Sequence, residues 1–165
     1  SRVHYFSAWV EDNHRRGLVR NISAELSGIL DSEPVDFMST HTDAYAQLVD
    51  TSNISLIKET EERLSAAGRR YVPMDRIDEV AQKIHDGDII AATSTLAGLD
   101  VAHTGIALWI DGTLHLLHAP LVGEAVQISE TSLAERIEKI EGQDGIIIAR
   151  PQDEPRREAT SAGER

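Results

Sequence analysis

Cysteine is missing altogether from this 165-residue chain, which excludes a disulfide framework, a thiolate zinc site and thiol chemistry by these residues alone. Blocks of lysine and arginine are missing too. Sixteen basic residues face 28 acidic ones, a formal net charge of -12, and no cluster can track a phosphate backbone. No nucleic-acid partner is expected. The same balance argues against an anionic membrane surface, and no apolar run approaches the roughly 20 residues that span a bilayer. The first residues, Ser1-Arg2-Val3-His4-Tyr5-Phe6, lack the basic start, apolar stretch and cleavage site of a secretory signal, and they read as a chain entered mid-domain.

What is present suits one globular domain: 41% of the residues are hydrophobic, and a chain of this length buries about two-thirds of its unfolded surface. Val3, Phe6 and Val10 form one helical stripe with Gly17 as a stop signal. Tyr5, Phe6 and Trp9 flank or join that stripe, as core or as a sugar-stacking platform. Gly28 to Met38 reads as a loop. Helix signals return over Thr40 to Asp50, Asn53 to Ala67 and Asp75 to Ile84, so the N-terminal half is expected to be mostly helical. Glu59, Glu61 and Glu62 read as a solvated helix face, and His4, His14 and His85 have no evident partner.

After Gly87 the period becomes strand-like: Asp88 to Thr93, Thr104 to Ile110, Thr113 to His118, Glu124 to Ile128 and Gly145 to Ala149. One helix, Ser132 to Glu141, is expected between the last two, capped by Thr131 or Ser132. The fold class is α+β, with a central antiparallel sheet of about five strands and helices packed around it. Residues 1–150 form the domain. Residues 151–165 are too poor in apolar side chains to order themselves and predict a disordered polar tail.

The most informative stretch runs from His103 to Pro120. Asp111-Gly112 between apolar runs signals a two-residue type I′ hairpin turn, which sets Ile110 opposite Thr113, Leu108 opposite His115 and Gly105 opposite His118. Alternation then puts His103, Gly105 and His118 on one face and His115 on the other. His103 and His118 become diagonal neighbours, about 7–8 Å or less between Cβ atoms, with Gly105 leaving room beside them. Spacing alone leaves three readings open: a base oriented by a second polar group, two strand histidines satisfied by backbone or water, or a metal pair, for which no third ligand is evident. No cofactor is called for.

Gly87-Asp88-Ile89-Ile90, His103-Thr104-Gly105-Ile106-Ala107 and Leu117-His118-Ala119-Pro120 resemble the Gly-Asp, His-x-Gly-Ile and His-Ala series of NlpC-type papain-like hydrolases. Val3-His4-Tyr5-Phe6-Ser7-Ala8-Trp9 and Phe37-Met38-Ser39-Thr40-His41 extend the likeness to the N-acetylmuramoyl-L-alanine amidase-like branch, from Arg2 to about Pro151. The resemblance implies a papain-like fold, a peptidoglycan or muropeptide substrate, His103 as catalytic histidine, His118 as the residue that orients it, and His41 and Gly105 in the substrate cleft. It also implies a cysteine nucleophile upstream of the matched region, so the domain is expected to be incomplete at its N-terminus and to have its own missing segment as a partner. Ser39 is not expected to replace the thiol, because Ser39 and Thr40 read as helix caps, and Asp88 reads as a turn entering a buried strand. A periplasmic or extracytoplasmic location follows if a signal peptide precedes Ser1. The alternative is a catalytically inactive muropeptide-binding module.

Overall fold

Alternating and continuous apolar runs sort this chain into one sheet with helices on both faces. A computed structural model describes residues 4–26, 28–121 and 125–153. In chain order the elements are α1 (Phe6–Arg15), β1 (Val19–Asn21), β2 (Ile29–Asp31), α2 (Phe37–Thr40), α3 (Thr51–Ala67), β3 (Arg69–Pro73), α4 (Ile77–Val80), β4 (Ile89–Ser94), β5 (Val101–Ile110), β6 (Thr113–His118), β7 (Gln127–Ile128), α5 (Leu133–Lys139) and β8 (Gln143–Pro151). The strands form an 8-stranded sheet in the order β2-β3-β8-β4-β5-β6-β7, with β1 also on β8; every strand pair is antiparallel.

Strand β8 is the axis of the sheet because both of its edges are used. One edge pairs with β4, and the other takes β1 and β3 end to end. Its run Ile146-Ile147-Ile148-Ala149 is buried without alternation, as expected for a strand covered on both faces. On one face α4 and α5 bring Ile77, Val80, Leu133 and Ile137 onto Ile90, Ala92, Ala107, Leu116, Ile146 and Ile148. On the other, Val10 of α1 packs on Val19 and Ala149, with Phe6, Trp9 and Ile89 beside them.

The sheet is larger than the expected five strands, and the N-terminal half is less helical than expected. β1, β2 and β3 are short and carry little apolar alternation; they exist because β8 and β3 offer them partners distant in sequence. β2 lies inside the expected loop Gly28 to Met38. The helix expected over Thr40 to Asp50 is instead two turns of 3₁₀ helix, Thr42–Ala44 and Ala46–Val49. The helix expected over Asp75 to Ile84 is α4 flanked by two more, Met74–Arg76 and Ala81–Lys83. Ser39 and Thr40 end α2 rather than cap a following helix, and Asp50 caps α3 by accepting from the Ser52 N–H at 3.0 Å. Ser132 caps α5, as expected. Pro151, assigned above to the tail, closes β8, and the Gln152 N–H donates to the Leu18 carbonyl at 2.8 Å. The rest of the expected tail, from Glu154 onward, lies outside the described residues, as do Val3 and Glu124 of the expected elements.

A buried polar network ties the helices together. Glu61 of α3 is not part of a solvated face but 3% exposed. Its carboxylate accepts from the Tyr5 hydroxyl at 2.7 Å and from the Ser39 N–H at 3.0 Å, while the Tyr5 oxygen accepts from the Met38 N–H at 2.8 Å. Burial, followed by the bond to Glu61, pushes the Tyr5 phenol far above its ordinary range, so it stays a neutral donor. Tyr5→Phe removes the bridge, strands the buried Met38 N–H and takes from the Glu61 carboxylate one of its two bonds, an unpaired buried group costing about 1–3 kcal/mol. A loss of about 2–3 kcal/mol is expected, read as a lower urea midpoint at an unchanged slope. His14, with no evident partner in the sequence, places its Nδ1 at 3.2 Å from the Val19 carbonyl.

Candidate active site

Asp111 and Gly112 adopt positive φ, 48° and 80°, the conformation that a type I′ turn demands. The hairpin register follows from it: Ile110 pairs with Thr113, Leu108 with His115 and Ile106 with Leu117. His103 and His118 therefore leave the same face at the open end of the hairpin. Their rings meet edge to face, His103 Nε2 lying 2.9 Å from His118 Nδ1. His115 points to the other face, its Nδ1 2.9 Å from the Ser129 carbonyl.

The pair sits in a cleft of about 630 Å³ lined by β5 residues from Val101 to Ile106, the end of β6, and Tyr5, Met38, Tyr45 and Asp100. His118 is buried and His103 half-buried. Gly105 lines the cleft too, yet its lack of a side chain serves packing as much as access. A Cβ there would lie 2.7 Å from the Leu116 side chain and the Leu117 carbonyl oxygen. The structure thus brings His103, Gly105 and His118 together. It leaves His41 exposed and outside the lining of this cleft, stacked on Phe37 with its Nδ1 2.9 Å from the Phe37 carbonyl.

Two groups that position the site escaped sequence reasoning. Asp100, buried before β5, accepts from the Ser7 N–H at 2.8 Å and so caps α1 from a distance of 93 residues. The Arg69 guanidinium donates to the Leu99 and Asp100 carbonyls, both at 3.1 Å, while Asp31 holds its other side. Together they fix the loop that leads into His103. No local pattern marks either pair, because the partners are far apart in the chain.

The second group is Arg136 of α5, buried beside Gln143, to whose side-chain oxygen it donates at 3.5 Å. Its charge acts on both imidazoles. Burial first, and then Arg136, hold His103 and His118 below the ordinary histidine range, and His118 adds to the effect on His103. Both are harder to protonate folded than unfolded. The stability this contributes is present above about pH 6.5 and is lost as pH falls from there through the depressed folded values. Arg136→Gln removes the charge and keeps a polar group near Gln143. Both imidazoles are then expected to titrate at higher pH, without reaching the free value because burial remains; NMR titration of the two rings reads this directly.

The fold and site define a class: α+β proteins that present a hydrogen-bonded histidine pair at the end of a sheet hairpin, in an open cleft. Residues 1–146 match the model of the AmiA-like, N-acetylmuramoyl-L-alanine amidase-like family, and the chain belongs to that family. Among solved structures, an N-acetylmuramoyl-L-alanine amidase from Bacteroides uniformis is 32% identical, with a TM-score of 0.88 over 93% of this chain and 66% of its own. A candidate xylanase from Bacteroides fragilis is 35% identical, with a TM-score of 0.85 over 91% of this chain and 66% of its own. A Legionella pneumophila protein at 19% identity and a TM-score of 0.62, over 92% of this chain and 62% of its own, shares the fold. The chain thus spans slightly less than two-thirds of the length of these structures. No curated protein matches it.

Proposed function

We propose that this chain is the histidine-bearing part of a cysteine-type peptidoglycan amide hydrolase of NlpC-type papain-like architecture, with His103 as acid and base and His118 as the residue that orients it. The observation that carries this reading is the 2.9 Å contact between His103 Nε2 and His118 Nδ1. If the Nε2–H of His103 donates, its Nδ1 keeps a lone pair with no hydrogen bond to any described residue, which is the state a general base needs.

The chemistry is acyl transfer. His103 Nδ1 takes the thiol proton, the thiolate attacks the amide carbon, and His103 returns the proton to the departing amine as the C–N bond breaks. Water, deprotonated by the same nitrogen, then attacks the thioester and regenerates the thiol. The chain holds no cysteine, and the thiol is assigned to the part of the architecture that the relatives have beyond the matched segment. The family description favours the amide between the muramoyl lactyl group and L-alanine. For a cell-wall substrate the place of action is periplasmic or extracytoplasmic, on condition that a signal peptide precedes Ser1.

Glycoside hydrolysis fits the cleft less well. It ordinarily requires two carboxyl groups about 5–9.5 Å apart across the scissile bond. Among the described residues lining the cleft Asp100 is the one acid, and it is buried and engaged with the Ser7 N–H.

The test is to incubate the protein from its natural source with N-acetylmuramoyl-L-alanyl-D-isoglutamine and follow products by mass spectrometry. Release of L-alanyl-D-isoglutamine, blocked by a thiol-alkylating reagent, is expected. Release that survives alkylation overturns the cysteine mechanism. Binding without release makes the chain an inactive muropeptide-binding module, and neither binding nor release removes the peptidoglycan reading altogether.

A further inference from the structure

A cavity of about 210 Å³ shares no lining residue with the histidine cleft. One wall is a face of α1, because Ser7, Val10, Glu11 and His14 recur at the three- and four-residue spacing of a single helical stripe. Val35, Leu64 and Ile147 add buried apolar surface, and Asn21 and Arg70 reach the cavity from β1 and β3. Within that lining the Ser7 Oγ is buried and has no hydrogen bond to a described residue. A hydroxyl left in that state costs folding free energy that alanine at the same position does not. A ligand that bonds it recovers the cost.

The charges around the cavity are sorted by wall. On the α1 side stand Glu11, which also pairs with Arg63, and beside Ser7 the Asp100 carboxylate that accepts from the Ser7 N–H at 2.8 Å. That wall suits an ammonium group. On the β3 side Arg69 is consumed by Asp31 and two backbone carbonyls, but the exposed Arg70 gives only a long bond, 3.4 Å, to the Gly28 carbonyl. The Asn21 oxygen accepts from the Ser23 N–H, which leaves its amide N–H groups as donors. These donors suit a carboxylate. We propose that the cavity is a second binding site, for a free α-amino acid with a small apolar side chain. The ammonium bonds to Ser7 Oγ on the Glu11 side, the carboxylate to Arg70 and Asn21, and the side chain packs among Val10, Val35, Leu64 and Ile147. The volume is about seven times the roughly 30 Å³ that a water occupies in the liquid, which suits such a molecule and excludes a muropeptide.

Calorimetry with three probes tests the site: L-valine, N-acetyl-L-valine and L-valinamide. L-Valine is expected to bind saturably, and each analogue, lacking one of the two charges, to bind at least about tenfold more weakly. Ser7→Ala should weaken L-valine binding about tenfold and, in ligand-free protein, raise the urea midpoint, because the unsatisfied hydroxyl is gone. Arg70→Gln changes an exposed side chain; it should weaken L-valine binding by a similar factor and leave L-valinamide binding unchanged. No saturable binding of L-valine overturns the proposal, and so does equal binding of all three probes. L-Valine affinity unchanged in both variants overturns it too, since the molecule is then held elsewhere. A urea midpoint lowered by Ser7→Ala in ligand-free protein overturns the assignment of Ser7 as a hydroxyl kept for a ligand. The proposal stands apart from the amidase reading, because none of the probes carries a muramoyl amide.

Discussion

His103→Ala should lower amide hydrolysis by about 10²–10⁴-fold, the range that a positioned general acid–base contributes, in protein that carries the nucleophile. The expectation comes from the cleft, where one ring nitrogen of His103 is held by His118 and the other has no hydrogen bond to a described residue. Removing His118 has a different signature. His118→Ala frees the His103 ring to rotate, so turnover should fall by less, with substrate binding nearly intact, and His118→Asn should restore part of it by offering an oxygen acceptor. His115→Ala is the control on the same strand, because that ring faces Ser129 on the opposite side of the sheet. Steady-state kinetics on the variants checks this. Equal losses from His115→Ala and His118→Ala would mean that strand integrity, and not the pair, was being measured.

The second large effect is on stability. Asp88→Ala should destabilise the fold by about 3 kcal/mol or more, since breaking one partner out of a buried, hydrogen-bonded ion pair typically costs 3–5 kcal/mol. Asp88 is 2% exposed and receives a fork from Arg150, Nε to one oxygen at 2.8 Å and Nη2 to the other at 2.6 Å. The His85 N–H adds a further bond at 2.8 Å. The pair joins the turn before β4 to the end of β8, the two central strands. Arg150 keeps 21% side-chain exposure and can turn toward water once its partner is gone, which holds the loss near the lower end of the range. Urea unfolding followed by circular dichroism measures it, and a loss below about 1 kcal/mol would show that the pair is worth no more than a surface bridge. The reading of Asp88 as a turn residue was therefore sound as far as it went. Its buried charge required Arg150, 62 residues away.

Physical range separates what was legible from what was not. The Asp111-Gly112 turn, the strand-by-strand alternation and the gathering of His103, Gly105 and His118 on one face all depend on neighbours within a few residues, or on a hairpin whose register its own turn sets. The absence of cysteine and of a basic block needed no structure at all. These features the sequence determined by itself.

The tertiary structure decided the rest. Three short strands became part of the sheet because β8 and β3 presented open edges to them. Glu61 looked like one of a solvated run until the Tyr5 hydroxyl, 56 residues away, gave its carboxylate a reason to be buried. Arg136 came to add its charge to burial in lowering the proton affinity of both imidazoles only when α5 packed across the sheet. A side chain's charge, burial and proton affinity are set by whatever the folded chain brings within a few ångströms of it, and periodicity along the chain carries no record of those partners.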